Sequence, residues 1–126
     1  MRILTLLTLT VVLLGACASS VRTTRQVTAI DAVAVALDAA EGRIQIRYNP
    51  AQCACAPFEV RTAEGWVRGD FAEADEEEAL DALLAQAESD SAQGKLTEYG
   101  VLASLVTTTP SYCQNRVPYA SLRLEK

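Results

Sequence analysis

Histidine is missing from this chain altogether. Its absence removes Ser-His-Asp and Cys-His catalysis, zinc sites of the H-E-x-x-H kind and imidazole pH switching. Methionine occurs once, at Met1, and tryptophan once. Aromatic residues make up only 6% of the chain, which favours a core of small aliphatic side chains over a large aromatic-lined pocket. Basic residues are outnumbered: 11 Lys and Arg face 16 Asp and Glu, for a formal net charge of −5. Such a chain has no global field to attract nucleic acid or an anionic membrane surface. No cofactor fingerprint and no internal repeat is present, so a non-catalytic protein with a binding or structural role is expected.

The chemistry that is present lies at the start. Met1-Arg2 supplies one positive side chain, an uncharged run of leucine, valine and threonine follows, and Leu14-Gly15-Ala16-Cys17 ends it. This is the layout of an export signal. The apolar run is about 12 residues, or roughly 18 Å as a helix, too short for a bilayer core of about 30 Å. Leu14-Gly15-Ala16-Cys17 resembles the lipobox of bacterial lipoprotein precursors. The resemblance covers the first 20 or so residues and nothing beyond. It implies a signal peptide over residues 1–16, a diacylglycerol on the Cys17 thiol and an acylated new amino terminus, an anchor that holds a protein stably. Ala18 rather than Asp follows the cysteine, which resembles lipoproteins sent to the outer membrane of double-membrane cells. Ordinary secretion is the alternative, because Ala16-Cys17-Ala18 also reads as A-x-A. The expected address is the cell envelope, facing the periplasm where there are two membranes. Apart from the covalent lipid on Cys17, no cofactor is expected. The expected partners are the membrane and a protein or cell-wall component.

Residues 17–26 read as the lipidated cysteine and a polar tether, and residues 27–126 as a single globular domain with a modest core. Loss of Arg2 with the signal takes the net charge from −5 to −6. Residues 27–38 fit two patterns. Ala32-Val33-Ala34-Val35-Ala36-Leu37 alternates as a buried strand would, whereas Ile30, Val33, Ala34 and Leu37 sit at helical spacing between Thr28 and Gly42. The clean alternation of Ile44, Ile46 and Tyr48 next door favours a strand, with residues 39–42 as the turn of a hairpin. Phe58, Val60 and Thr62 alternate in a third strand, and residues 66–68 return as a fourth.

Residues 75–93 carry the clearest helix. Asp75 and Glu78 are spaced as an acidic capping box, Glu76, Glu77 and Glu78 suit a helix N-terminus, and Ala79, Leu80, Leu83, Leu84 and Ala87 form a stripe. This also accounts for the seven acidic residues between Asp70 and Asp81, where a calcium-binding loop pattern is lacking. Strands follow at 96–107, with Tyr99, Val101, Ala103 and Leu105 on one face, and at 117–124, with Ala120, Leu122 and Leu124 inward. The expected fold is α+β: a small bent antiparallel sheet or barrel, β-β-β-β-α-β-β, with one amphipathic helix. Its element order resembles that of the OB-fold.

With Cys17 assigned to lipid, Cys53, Cys55 and Cys113 remain in an oxidising compartment. Their first reading is one disulfide, from Cys113 to Cys53 or Cys55. It closes a loop of about 60 residues and contributes about 4 kcal/mol on the chain-entropy model. It places the loop after residue 48 and the loop before residue 117 at one end of the sheet, which sits badly with a regular OB barrel. One thiol is left over. The alternative is a thiol redox or thiolate metal site of Cys53, Cys55 and Cys113, suited to Cu(I) or Zn²⁺. Arg43, Arg47 and Arg61, with Arg68 or Arg123, are candidates for an anion-binding face. Pairing with Glu59 and Glu64 is their simpler role. Interleaved aromatics of the kind that serve nucleic acid are absent. Glu59, Glu64 and Asp70 are the acids a carboxylate-pair hydrolase would need.

Overall fold

In the computed structural model, which describes residues 23–50, 55–114 and 116–126, two helices and six strands follow one another. They are α1 Thr23–Ala39, β1 Arg43–Tyr48, β2 Phe58–Thr62, β3 Gly65–Ala74, α2 Glu77–Ala92, β4 Glu98–Leu105, β5 Ser111–Tyr112 and β6 Pro118–Leu124. Cys17, Cys53 and the segment 1–16 lie outside the described residues. Among the described residues no helix is long and apolar enough to cross a membrane.

The α+β class is observed, as a closed OB-like barrel. β2 pairs antiparallel with β1 and β3, and β4 pairs antiparallel with β1 and β6. The second half of β3 pairs parallel with β6, from Gly69 opposite Ala120 to Ala74 opposite Leu124. That ladder closes the five long strands into a barrel and makes the sheet mixed rather than wholly antiparallel. β3 extends well past residues 66–68 because it changes partner midway, from β2 to β6. The short β5, in a stretch expected to be loop, pairs only with β6.

The expected strand at 27–38 is a helix. Two side chains decide it: Val33 is fully buried and Val35 is 66% exposed, where a strand would have turned both to one face. Ile30, Val33 and Leu37 enter the core at helical spacing. The alternation that suggested a strand is carried largely by alanine, the strongest helix former, which marks no face. α1 ends in a Schellman arrangement. The Gly42 N–H donates to the Leu37 carbonyl at 2.8 Å and the Glu41 N–H to Asp38 at 3.4 Å. Gly42 takes φ +84° with the Ala103 carbonyl oxygen 2.9 Å from where a Cβ would sit, which disfavours a larger residue. β1 therefore has no hairpin partner before it, and its neighbours are β2 and β4.

α1 packs against all five barrel strands. A helix on the outer wall of a closed barrel cannot touch every strand, so α1 plugs an end. α2 packs against β3 and β1, presenting Leu80, Leu83, Leu84 and Ala87 to the core. Ala79, expected in that stripe, is exposed. The expected Asp75–Glu78 capping box does not form: Glu76 is the N-cap and makes no side-chain cap bond. Asp75 instead accepts hydrogen bonds from Arg123 Nε at 2.9 Å and the Lys126 N–H at 3.2 Å, fastening the C-terminal end of β6. This bond holds the Asp75 carboxyl below its ordinary pKa.

Cys55 and Cys113 form a disulfide across 58 residues. It links the loop between β1 and β2 to the loop between β4 and β6, at the centre of a small apolar cluster with Ala56, Val117 and Tyr119. The anticipated conflict with an OB-like barrel does not arise, because the strands are offset. Gly69 of β3 lies opposite both Phe58, just past the first loop, and Ala120, just past the second. The exits of the two loops are thus brought side by side.

Two outcomes are expected in urea denaturation. Ile30→Ala should destabilise by about 2–5 kcal/mol as a buried aliphatic truncation, and a loss under about 0.5 kcal/mol, the range of a surface site, would remove α1 from the core. Cys113→Ser should cost about 4 kcal/mol, matched by the native protein under reducing conditions.

Candidate functional site

The outward side chains of β1, β2 and β3 converge on one indole. Trp66, at the start of β3, lies in register with Arg61 of β2. The Arg61 guanidinium carbon is 5.4 Å from the Trp66 ring centroid, and that of Arg47, from β1, is 4.1 Å away. Both distances are within cation–π range. Arg47 Nε also donates to Glu59 Oε1 at 3.0 Å, and Asn49 Nδ2 donates to the same oxygen at 3.2 Å. Glu59 is 8% exposed, and these donors satisfy its buried oxygen. Arg68 stands directly opposite Glu59 on β3. Burial lowers the Arg68 pKa, and the charge of Glu59 opposes that shift.

The other wall is the segment from the end of α2 to the start of β4. Arg61 Nη1 lies 3.5 Å from Glu98 Oε1. Ser91, Lys95, Leu96 and Thr97 complete a cleft of about 600 Å³. Asp90 fixes this wall. Its Oδ2 accepts from the Tyr99 hydroxyl at 2.5 Å, its Oδ1 from Gln86 Nε2 at 3.0 Å, and its carbonyl from the Lys95 N–H at 2.9 Å. The last bond, with Gly94 at φ +73° and its N–H on the Ser91 carbonyl, is a second Schellman arrangement at the Gly94-Lys95 stop expected from sequence. The Tyr99 hydrogen bond, more than any other contact, holds the Asp90 carboxyl below its ordinary pKa. Burial first, and then Asp90, pushes the Tyr99 hydroxyl up.

The expected basic face is divided by the structure. Arg47, Arg61 and Arg68 share the outer surface of β1–β3. Arg43 is exposed and lines a separate depression with Gln45 and Lys126. Arg123 is spent on Asp75 and Glu73. Of the two acids expected to pair with these arginines, Glu59 pairs with Arg47, whereas Arg61 pairs with Glu98. The three acids do not converge. Glu59 is bound as above, Glu64 lies in the β2–β3 turn, and Asp70 accepts the Phe71 N–H at 2.9 Å while burial raises its pKa. Of the candidate disulfides, the pair is Cys113 with Cys55. Trp66, Lys95 and Glu98 were not legible as site residues. The one available signal was a lone tryptophan between arginine-bearing strands.

The arrangement can bind. The Arg47 guanidinium lies over an aromatic ring and is braced by a carboxylate, which orders it before any ligand arrives. OB-type barrels use this region, the face of the second and third strands, for oligonucleotides and oligosaccharides. Comparison with known family models, characterised proteins and solved structures gives no match to this chain.

The Asp90–Tyr99 bond makes a pH prediction. The folded-state pKa of Asp90 is depressed, so its contribution is present above the unfolded value of about 4 and lost as pH falls through the folded one. The folded-state pKa of Tyr99 is raised, so its contribution is present below the unfolded value of about 10 and lost as pH rises through the folded one. Tyr99→Phe should therefore be less stable than the native protein near neutrality in urea denaturation. The gap should shrink below about pH 4 and above about pH 10. A gap constant across pH would show that the bond does not carry it.

Proposed function

We propose that this protein is a lipid-anchored bacterial envelope protein with a non-catalytic binding role, exerted through the Trp66 cleft on the outer face of β1–β3. The observation that supports the binding role is the braced stack of Arg47 on Trp66, with Glu59 behind it and a second wall held by Asp90. The address rests on Leu14-Gly15-Ala16-Cys17 and puts the domain on a short tether from the membrane, facing the periplasm of a cell with two membranes. The partner it meets there is a cell-wall component or an envelope protein.

Thiol redox or metal binding through Cys53, Cys55 and Cys113 is the second reading. It requires the Cys55–Cys113 bridge to open, and Cys113 is 7% exposed within its own apolar cluster. A disulfide so placed is better suited to holding two loops together than to exchanging electrons.

In cells fed radiolabelled palmitate, the native chain should take up label and Cys17→Ser should not. Equal labelling would refute the anchor. The mature lipidated chain in detergent should co-sediment with purified cell-wall sacculi or solubilised envelope protein, and Trp66→Ala should lose most of that binding. Binding unchanged by Trp66→Ala would place the binding surface elsewhere.

A further inference from the structure

We infer that the cleft takes an acidic saccharide, holding its carboxylate or phosphate on Arg47, Arg61 and Lys95; the inference rests on the proposal that this face is the binding surface. Arg47 gives only its Nε to Glu59. Its two terminal amino groups have no hydrogen-bond partner among the described residues, and they form the fork that matches an oxyanion bidentately. The guanidinium is held by Trp66 on one side and Glu59 behind. Arg61 is 60% exposed at its side chain and meets Glu98 only at 3.5 Å. Lys95 makes no ion pair among the described residues. Three cations therefore line the cleft with two carboxylates, Glu59 and Glu98, on a chain whose net charge is −5.

The remaining lining decides what carries the anion. Tyr48, Ser91 and Thr97 make the rest of the lining polar but uncharged, as a ligand rich in hydroxyls would need, and a cleft of about 600 Å³ is of ligand size. A nucleic acid fits poorly. The acidic chain repels a continuous polyanion, and a single indole already covered by arginine gives no succession of platforms for bases. An acidic sugar presents isolated negative groups among hydroxyls, which suits a small basic patch in acidic surroundings.

The chain has one tryptophan, in this cleft, so intrinsic fluorescence reads the site directly. The mature lipidated chain in detergent is titrated with trigalacturonic acid, glucose 1-phosphate, maltotriose and inorganic phosphate. A saturable change is expected with the first or second, about tenfold or more tighter than with maltotriose or inorganic phosphate. Whichever of the two binds tighter identifies the anionic substituent. Arg47→Gln should abolish the response. Because that variant strips Glu59 of a partner, Arg61→Gln and Lys95→Gln, both at exposed positions, are measured beside it and should each weaken binding several-fold. Arg43→Gln, outside the cleft, should not. Maltotriose binding as tightly would overturn oxyanion recognition, and inorganic phosphate binding as tightly would overturn the saccharide. No response to any probe, with Trp66-dependent wall or envelope binding intact, overturns the ligand class alone. Loss of both overturns the binding role of the face as well.

Discussion

The parallel ladder between the second half of β3 and β6 turns a curved sheet into a barrel. Without it, β3 would be a free edge exposing unpaired backbone groups. With it, Phe71, Leu122 and Leu124 join Ile46, Phe58 and Val60 in one enclosed core, and the open ends become the remaining problem. α1 solves it at one end, which is why its apolar side chains lie along a single stripe and Val35 is left outside. The same ladder offsets β6 so that the loop before it can be joined to the β1–β2 loop by the Cys55–Cys113 bridge.

Closure also determines the outer surface. Once the inward positions of β1, β2 and β3 are given to the core, Arg47, Glu59, Arg61, Trp66 and Arg68 must share the outside. They are close enough to interact only because the strands are hydrogen-bonded neighbours. Glu59 is the pivot of this group. It is buried on the outer face, and Arg47 and Asn49 both turn to it, which sets the Arg47 guanidinium over the indole. The site is thus a by-product of strand pairing, refined by one buried carboxylate.

The second wall shows how helix endings do positional work. Gly94 stops α2 with its last turn facing the cleft, and Asp90 ties that turn to Tyr99 at the head of β4. The loop between helix and strand is left with few ways to move. Asp75 does something similar at the other end of α2, but by releasing its expected cap in order to hold Arg123 and Lys126.

Sequence by itself determined the cores of the alternating strands and the second helix. Ile44, Ile46, Phe58, Val60, Ala120 and Leu122 alternate with polar partners, and period two has a single outcome where one face must be buried. It also determined the stop at Gly94 and the availability of Cys113 for pairing. Tertiary structure decided the rest. Residues 27–38 became a helix because a barrel end needed a plug and alanine permits either geometry. Cys55 was selected as the partner of Cys113 by the register of β3 against β2 and β6, which no local pattern encodes. The site was decided in the same way. Arg47, Glu59 and Trp66 come from three strands and Lys95 and Glu98 from the segment that runs from the end of α2 to the start of β4, so their convergence exists only once the strands have found their neighbours.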